Sequence, residues 1–250
     1  MADIHVSAIA DFKTALQTAG ATVILDNDLD FNSTTISGTF AIVQATEIDG
    51  QGHTIYNIQS ASSSSVFAAG VTSLITWHNI NFYNVLLLGN GYLISGYNVS
   101  NQRVLISECK VQGKLNRLFQ YLNNSSVEGG HGCVRSAFNI NSDCRFNEPI
   151  YSECYFILGE SSTAFSTYSS LTMTDCYISG HARFPAATIM SSQSARNVIN
   201  VYNDADTTPT LQGSYILYNS DRATFTGGIP LTDNELKDRD AVAATGFPIL

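Results

Sequence analysis

Ser152-Glu153-Cys154-Tyr155-Phe156 and Thr174-Asp175-Cys176-Tyr177-Ile178 are copies of one phrase: a hydroxyl, an acid, a cysteine, a variable residue and an apolar one. Two more copies read Ser107-Glu108-Cys109-Lys110-Val111 and Ser142-Asp143-Cys144-Arg145-Phe146. Each alternates small or apolar residues with polar ones, the pattern of a strand with one buried face. Cys154 and Cys176 lie 176 − 154 = 22 residues apart, and Cys109 and Cys154 lie 154 − 109 = 45 apart, close to twice that. The same interval counted on from Cys176 lands on Val198, inside the strand-like run Asn197-Val198-Ile199-Asn200-Val201. A strand phrase returning at a near-constant interval predicts a coil that stacks turns of similar size.

The composition agrees. Charged residues are 13% of the 250, against roughly 25% in ordinary globular domains, while 44% are apolar. Helices carry charge on their outer faces, whereas β surfaces favour hydroxyls and turn residues, so the balance predicts an all-β chain with a continuous core. The net charge of −9 comes with only 12 Lys and Arg, and these form no cluster. Nucleic acid binding, which needs a basic stripe, is therefore not expected. No apolar run approaches the roughly 18–20 residues of a membrane span. Met1-Ala2-Asp3-Ile4-His5 lacks the basic and leucine-rich regions of a secretory signal. The five cysteines, Cys109, Cys133, Cys144, Cys154 and Cys176, have no Cys-x-x-Cys or His-x-x-His spacing among them. They read as buried small hydrophobes rather than metal ligands, which points to synthesis in a reducing compartment.

Ile9, Phe12, Leu16 and Ala19 form one helical stripe, with Ser7 placed to cap it and Gly20 to end it. Strand-like runs follow at Ala21 to Leu25 and Phe40 to Val43. Next comes Ile48-Asp49-Gly50-Gln51-Gly52-His53-Thr54-Ile55, two apolar strand ends around a Gly-rich turn. Ser60 to Ser65 reads as a loop. Near the other end, Thr232-Asp233-Asn234-Glu235 has the capping-box pattern, with Leu231 and Leu236 at staple positions and Gly246 and Pro248 beyond it.

The helix, the Val-Ile-Leu strand and the Ile-Asp-Gly-x-Gly-His-Thr-Ile turn resemble the opening of the right-handed parallel β-helix proteins, the pectate-lyase-like superfold. Ile75-Thr76-Trp77-His78-Asn79-Ile80-Asn81-Phe82 and the cysteine phrases are similar to its later coils. The resemblance covers roughly residues 5–230. It implies an all-β, single-stranded right-handed parallel β-helix forming one domain over residues 1–250. Its parts are a short N-terminal cap helix (5–20), coils (21–230) and a short C-terminal helical cap or tail (231–250). At about 22–25 residues per turn and about 4.8 Å between turns, the coils make roughly nine turns and a rod on the order of 40 Å long. Both ends of such a rod are sticky, and the terminal segments are placed to plug them.

Alternation puts Ser152, Cys154 and Phe156 inward and Glu153 and Tyr155 outward, with Asp175 and Tyr177 outward on the next turn. In the 22-residue register, Glu153 lies about 5 Å from Asp175 and Tyr155 lies beside Tyr177. Three readings of this acid–tyrosine face stay open: a solvated or subunit-contact face, a glycan-binding face, or a carboxylate pair at the separation of retaining glycosidases. Glu108 with Lys110 and Asp143 with Arg145 read as ordinary surface charge pairs. Gly130-His131-Gly132 is similar to the Gly-His-Gly of polygalacturonases. The acids that such hydrolases carry beside it are missing, so His131 reads as a loop histidine. Trp77-His78 and Arg183-Phe184-Pro185 are isolated echoes of pectate-lyase motifs without their acids, and Asp204 and Asp206 read as a plain turn, with a cation-holding loop as the alternative. His5, His53, His78 and His181 lie singly in the sequence. No catalytic residue, metal site or cofactor is expected.

Small β-helices with Asn/Ser/Thr-rich surfaces and free cysteines resemble bacteriophage tailspike, fibre-tip and head-appendage domains. The resemblance implies a non-enzymatic virion protein, structural or receptor-binding, made in the host cytoplasm. Its partners would be two further copies in a homotrimer, other virion proteins and a bacterial surface polysaccharide. A polysaccharide lyase or glycoside hydrolase is the alternative, and a bacterial surface adhesin the second alternative.

Overall fold

A computed structural model describes residues 2–71, 73–95, 103–115, 117–120, 132–142, 145–146, 150–159, 163–165, 170–184, 188–191, 195–203 and 208–248. The chain is a parallel β-solenoid. In its first sheet ten strands pair in chain order: Asp3–Val6, Thr22–Leu25, Glu47–Asp49, Leu74–His78, Arg103–Ser107, Gly132–Val134, Ile150–Ser152, Ser170–Thr174, Thr188–Met190 and Thr210–Gln212. Every pairing is parallel. Between these strands the chain passes through a second sheet, 18-stranded among the described residues, that makes the remaining faces of the coil. Partner residues on adjoining coils are 18 apart at Cys133 and Tyr151 and 29 apart at Trp77 and Ile106, so the repeat is looser than a single interval. One core runs along the axis, from Val6 and Phe12 through Trp77, Phe138 and Phe156 to Phe184 and Phe225.

The cysteine phrase marks a corner rather than a strand. Ser107, Ser152 and Thr174 end strands of the first sheet, and Lys110, Tyr155 and Tyr177 begin strands of the second. Between them Glu108, Glu153 and Asp175 adopt φ of 56°, 53° and 53°, the left-handed region that turns the chain. Asn79, at φ of 54°, does the same one coil before Glu108, and Arg135, at 45°, on the coil between Glu108 and Glu153. The left-handed residue interrupts alternation, so the inward side chains are Tyr151, Cys154 and Phe156, and Ser152 is only half-buried. Ser142-Asp143-Cys144-Arg145-Phe146 is not an equivalent copy. Arg145 and Phe146 pair with Ala164 and Phe165 on a different face, and Asp143 and Cys144 lie outside the described residues.

Register identifies what fills the corner. Lys110, Ala137, Tyr155, Tyr177 and Val198 pair in sequence along the second sheet. The residues just before them, Cys109, Ser136, Cys154, Cys176 and Asn197, therefore form one buried column. Asn197, not Val198, follows Cys176, because that coil is 21 residues long. This column satisfies backbone groups that the turn takes off the ladder. Ser136 Oγ accepts from the Cys109 amide at 3.2 Å, and Asn197 Oδ1 accepts from the Cys176 amide at 2.9 Å. The Cys154 thiol donates to the Cys133 carbonyl at 3.2 Å, and the Cys109 thiol to the Ser107 carbonyl at 3.3 Å. A thiol fills the corner with apolar volume while still offering a weak donor, which explains why cysteine recurs there. All four described cysteines are buried thiols outside any disulfide. Burial pushes the Cys109 thiol up to about 12, and the Cys176 thiol together with burial pushes Cys154 upward too.

Helix α1 (Ile9–Leu16) closes the N-terminal end with Phe12, Ala15 and Leu16 buried, while Ala19 stays exposed. Phe12 packs edge-on against Phe67 at 6.1 Å, and the Leu16 carbonyl accepts from the Gln44 and Ala45 amides. Its N-cap is Ala8 without a side-chain bond, not Ser7. The strand Asp3–Val6 before it extends the coil into the segment expected to be helix. At the other end the aromatic plug is Phe225, 5.2 Å from Tyr218 and 5.8 Å from Phe184. The capping box forms as read: Thr232 N and Oγ1 donate to Glu235 Oε2 at 2.8 and 2.7 Å, and Glu235 N donates to Thr232 Oγ1 at 3.2 Å. Helix α2 (Arg239–Ala244) follows, capped by the Asp238 carboxylate. It buries no residue, so the tail lies against the side of the coil instead of plugging its end.

Candidate functional site

Tyr155 and Tyr177 begin in-register strands of the second sheet, each placed two residues after a left-handed corner. Both point outward because the corner resets alternation with the cysteine inside. Their rings stack at 4.8 Å with an interplanar angle of 12°, the spacing of adjoining strands, so the two rings form a short ladder along the coil axis. Tyr155 is 46% exposed. The neighbours in register are smaller, Ala137 beyond Tyr155 and Val198 beyond Tyr177. Each end of the ladder therefore opens onto a hollow. The one at Tyr155 has a volume of about 140 Å³ and is lined by Lys110, Gln112, Ala137, Asn139 and Ile157. The one at Tyr177 has a volume of about 520 Å³ and lies between Val198 and Arg196 on the coil and Val242 and Phe247 on the tail. A second outward column, Gln112, Asn139, Ile157, Ser179 and Asn200, runs beside the tyrosines and offers amides and a hydroxyl.

The two carboxylates differ in their partners. Asp175 Oδ1 accepts from the Arg196 amide at 2.6 Å and from its Nε at 3.4 Å, so this acid braces the next coil. Glu153, at the same corner one coil earlier, is exposed and has no ion-pair partner among the described residues. Glu108 is paired not with Lys110 but with Arg135 on the adjoining coil, at 2.9 Å to Nε and 2.8 Å to Nη2. Among the described residues no group of three His, Cys, Asp or Glu could hold a metal ion. Trp77 is buried between Phe67 and Phe82 and is a core residue. Gly130, His131, Pro185, Asp204 and Asp206 lie outside the described residues.

The histidines are not isolated in space. His5 Nδ1 lies 2.8 Å from Asp26, His53 Nδ1 3.2 Å from Asp28, and His78 lies between Glu47 at 3.0 Å and Asp49 at 3.7 Å. His181 stacks on Tyr202 at 4.8 Å, and the Arg222 guanidinium covers that tyrosine. The first three partners lie 21 to 31 residues away, one coil length or a little more, and no local motif signals them. The hydrogen bond that His5 donates to Asp26, together with that carboxylate's charge, raises the His5 pKa above its ordinary value. No helix among the described residues is long and apolar enough to cross a membrane. No family model, curated protein or solved structure matches the chain.

Proposed function

We propose that this solenoid is a non-enzymatic, receptor-binding appendage of a bacteriophage particle that takes bacterial surface glycan along the outer face of its second sheet. The observation that carries the glycan part is the Tyr155–Tyr177 ladder, open at both ends onto hollows floored by Ala137 and Val198. A pyranose presents an apolar C–H face of ring size and a rim of hydroxyls. The first suits a free tyrosine face, and the second suits Gln112, Asn139 and Ser179 beside it. Successive sugars then follow the coil axis. The tie of Asp175 to Arg196 favours binding over hydrolysis, since the acid is already engaged.

The virion setting rests on the resemblance to phage appendage β-helices and on the amide- and hydroxyl-rich surface. It carries with it a homotrimer and contacts with other virion proteins. The test is a panel of bacterial surface polysaccharides incubated with wild-type protein and with Tyr155→Ala and Tyr177→Ala. Retention of at least one polysaccharide by wild type, loss of roughly tenfold in affinity in either variant, and no new reducing ends or unsaturated products are expected. Product release would establish the depolymerase alternative. Binding unchanged in both variants would remove the tyrosine face from the reading. Light scattering decides the assembly: three chains of 27.0 kDa make an 81 kDa particle, and a 27.0 kDa particle refutes the trimer.

A further inference from the structure

The hollow at Tyr177 differs from the one at Tyr155 in charge. Three cations, Arg196, Lys237 and Arg239, line it with one acid, Asp175, although the chain as a whole carries −9. Two of the cations are spoken for: Arg196 pairs with Asp175, and Lys237 with Asp233. Arg239 is exposed and has no ion-pair partner among the described residues. Its position is set by the capping box at Thr232 and Glu235 and by Asp238 at the start of α2, which fold the tail back over Tyr177. Apolar lining comes from both sides, from Val198 on the coil and from Val242 and Phe247 on the tail. The hollow's volume of about 520 Å³ falls in the range of small-ligand sites, roughly 300–1,000 Å³.

We infer that the hollow between the C-terminal tail and Tyr177 is a subsite for an acidic sugar unit. Its carboxylate is met by Arg239, and its ring packs between Tyr177 and Phe247. The inference rests on the glycan reading of the tyrosine face and narrows it from glycans in general to acidic ones. A guanidinium fork fits a carboxylate with two parallel hydrogen bonds, while the exposed setting keeps the contribution of each cation modest.

The experiment measures binding of a hyaluronan hexamer and an α2,8-linked sialic acid hexamer, each beside its methyl ester, by fluorescence polarisation. At least one acid is expected to bind roughly tenfold more tightly than its ester, with the difference shrinking as salt is raised. Arg239→Gln should cost the acid roughly three- to fivefold and leave the ester unchanged. Tyr177→Ala should weaken both forms together. If an acid and its ester bind equally, or if Arg239→Gln weakens both alike, this inference falls while the glycan reading stands. If no hexamer binds and the polysaccharide panel is also negative, both fall. If Val242→Asp converts a larger particle to a 27.0 kDa monomer, the hollow is a joint between copies and the inference is overturned.

Discussion

Replacing Asn197 tests the account of the corner column directly. Its side chain is 1% exposed, with Oδ1 accepting from the Cys176 amide at 2.9 Å and Nδ2 donating to the Met173 carbonyl at 3.0 Å. Both backbone groups sit where the left-handed Asp175 leads the chain off the sheet ladder, on the buried residues Met173 and Cys176. Asn197→Ala leaves two buried polar groups unsatisfied, each costing about 1–3 kcal/mol. The carbonyl is the cheaper of the two because under-satisfied C=O groups are better tolerated, so a total of about 2–4 kcal/mol follows. At about 2–4 °C per kcal/mol for a chain of this size, the Tm falls by roughly 4–16 °C. Asn197→Leu is the sharper variant, since it keeps the branching at Cγ and fills the site while removing both hydrogen bonds. It should lose as much as Asn197→Ala, while Asn197→Ser, imitating Ser136, should recover about half. The assay is urea unfolding followed by far-UV circular dichroism, with hydrogen exchange at the Cys176 amide as the local readout. An Asn197→Leu protein within about 0.5 kcal/mol of wild type, with its Cys176 amide still protected, would refute the reasoning.

Three further outcomes are expected. In native protein a disulfide reagent should label at most one thiol per chain, Cys144, and all five only after unfolding, because the other four are buried and burial holds thiols such as Cys109 protonated; rapid labelling of Cys154 or Cys176 would contradict the column. Gly180→Ala should cost at least about 3 kcal/mol or prevent folding, since its Cβ would lie 1.8 Å from the Leu158 carbonyl oxygen at φ of 105°. Gly38→Ala, with nothing within 4 Å, should be near neutral by the same melts, and equal losses in the two would show that packing is not the cause. The raised pKa of His5 adds stability that is complete below its unfolded value near 6.5 and disappears as pH rises through the higher folded value. Amide protection of Asp3–Val6 should therefore be greater at about pH 5.5 than at about pH 8.5. Asp26→Asn should remove most of that difference, the charge of Asp3 being the smaller contribution, and its full survival in the variant would sink the assignment.

Much of the fold was legible in the repeated phrase, because a solenoid writes each coil with the same apolar positions. The apolar slots, the N-terminal plug and the Thr232–Glu235 box follow from local spacing, and the structure bears them out. Local spacing failed where one residue changed hand. Glu153 and Asp175 at positive φ turn an apparent strand into a corner, which moved the inward position from Ser152 to Tyr151. It failed again where coil length varied, so that Asn197 and not Val198 continued the cysteine column. The tail misled for a third reason: its cap signals are sound, but nothing in its weak apolar pattern says which surface it meets.

By itself, then, the sequence determined that the chain coils, that Cys154, Phe156 and Cys176 face the core, and that Tyr155 would stand beside Tyr177. Those properties depend on residues within one strand and on a repeat that two adjoining coils keep. Only the tertiary structure decided that Asp175 is spent on Arg196, that His5, His53 and His78 rest on carboxylates, and that Arg239 stands over Tyr177. These contacts join side chains one or more coils apart across offsets that shift with each loop. The spacing that brings them together is a property of stacked turns and not of any stretch of the chain.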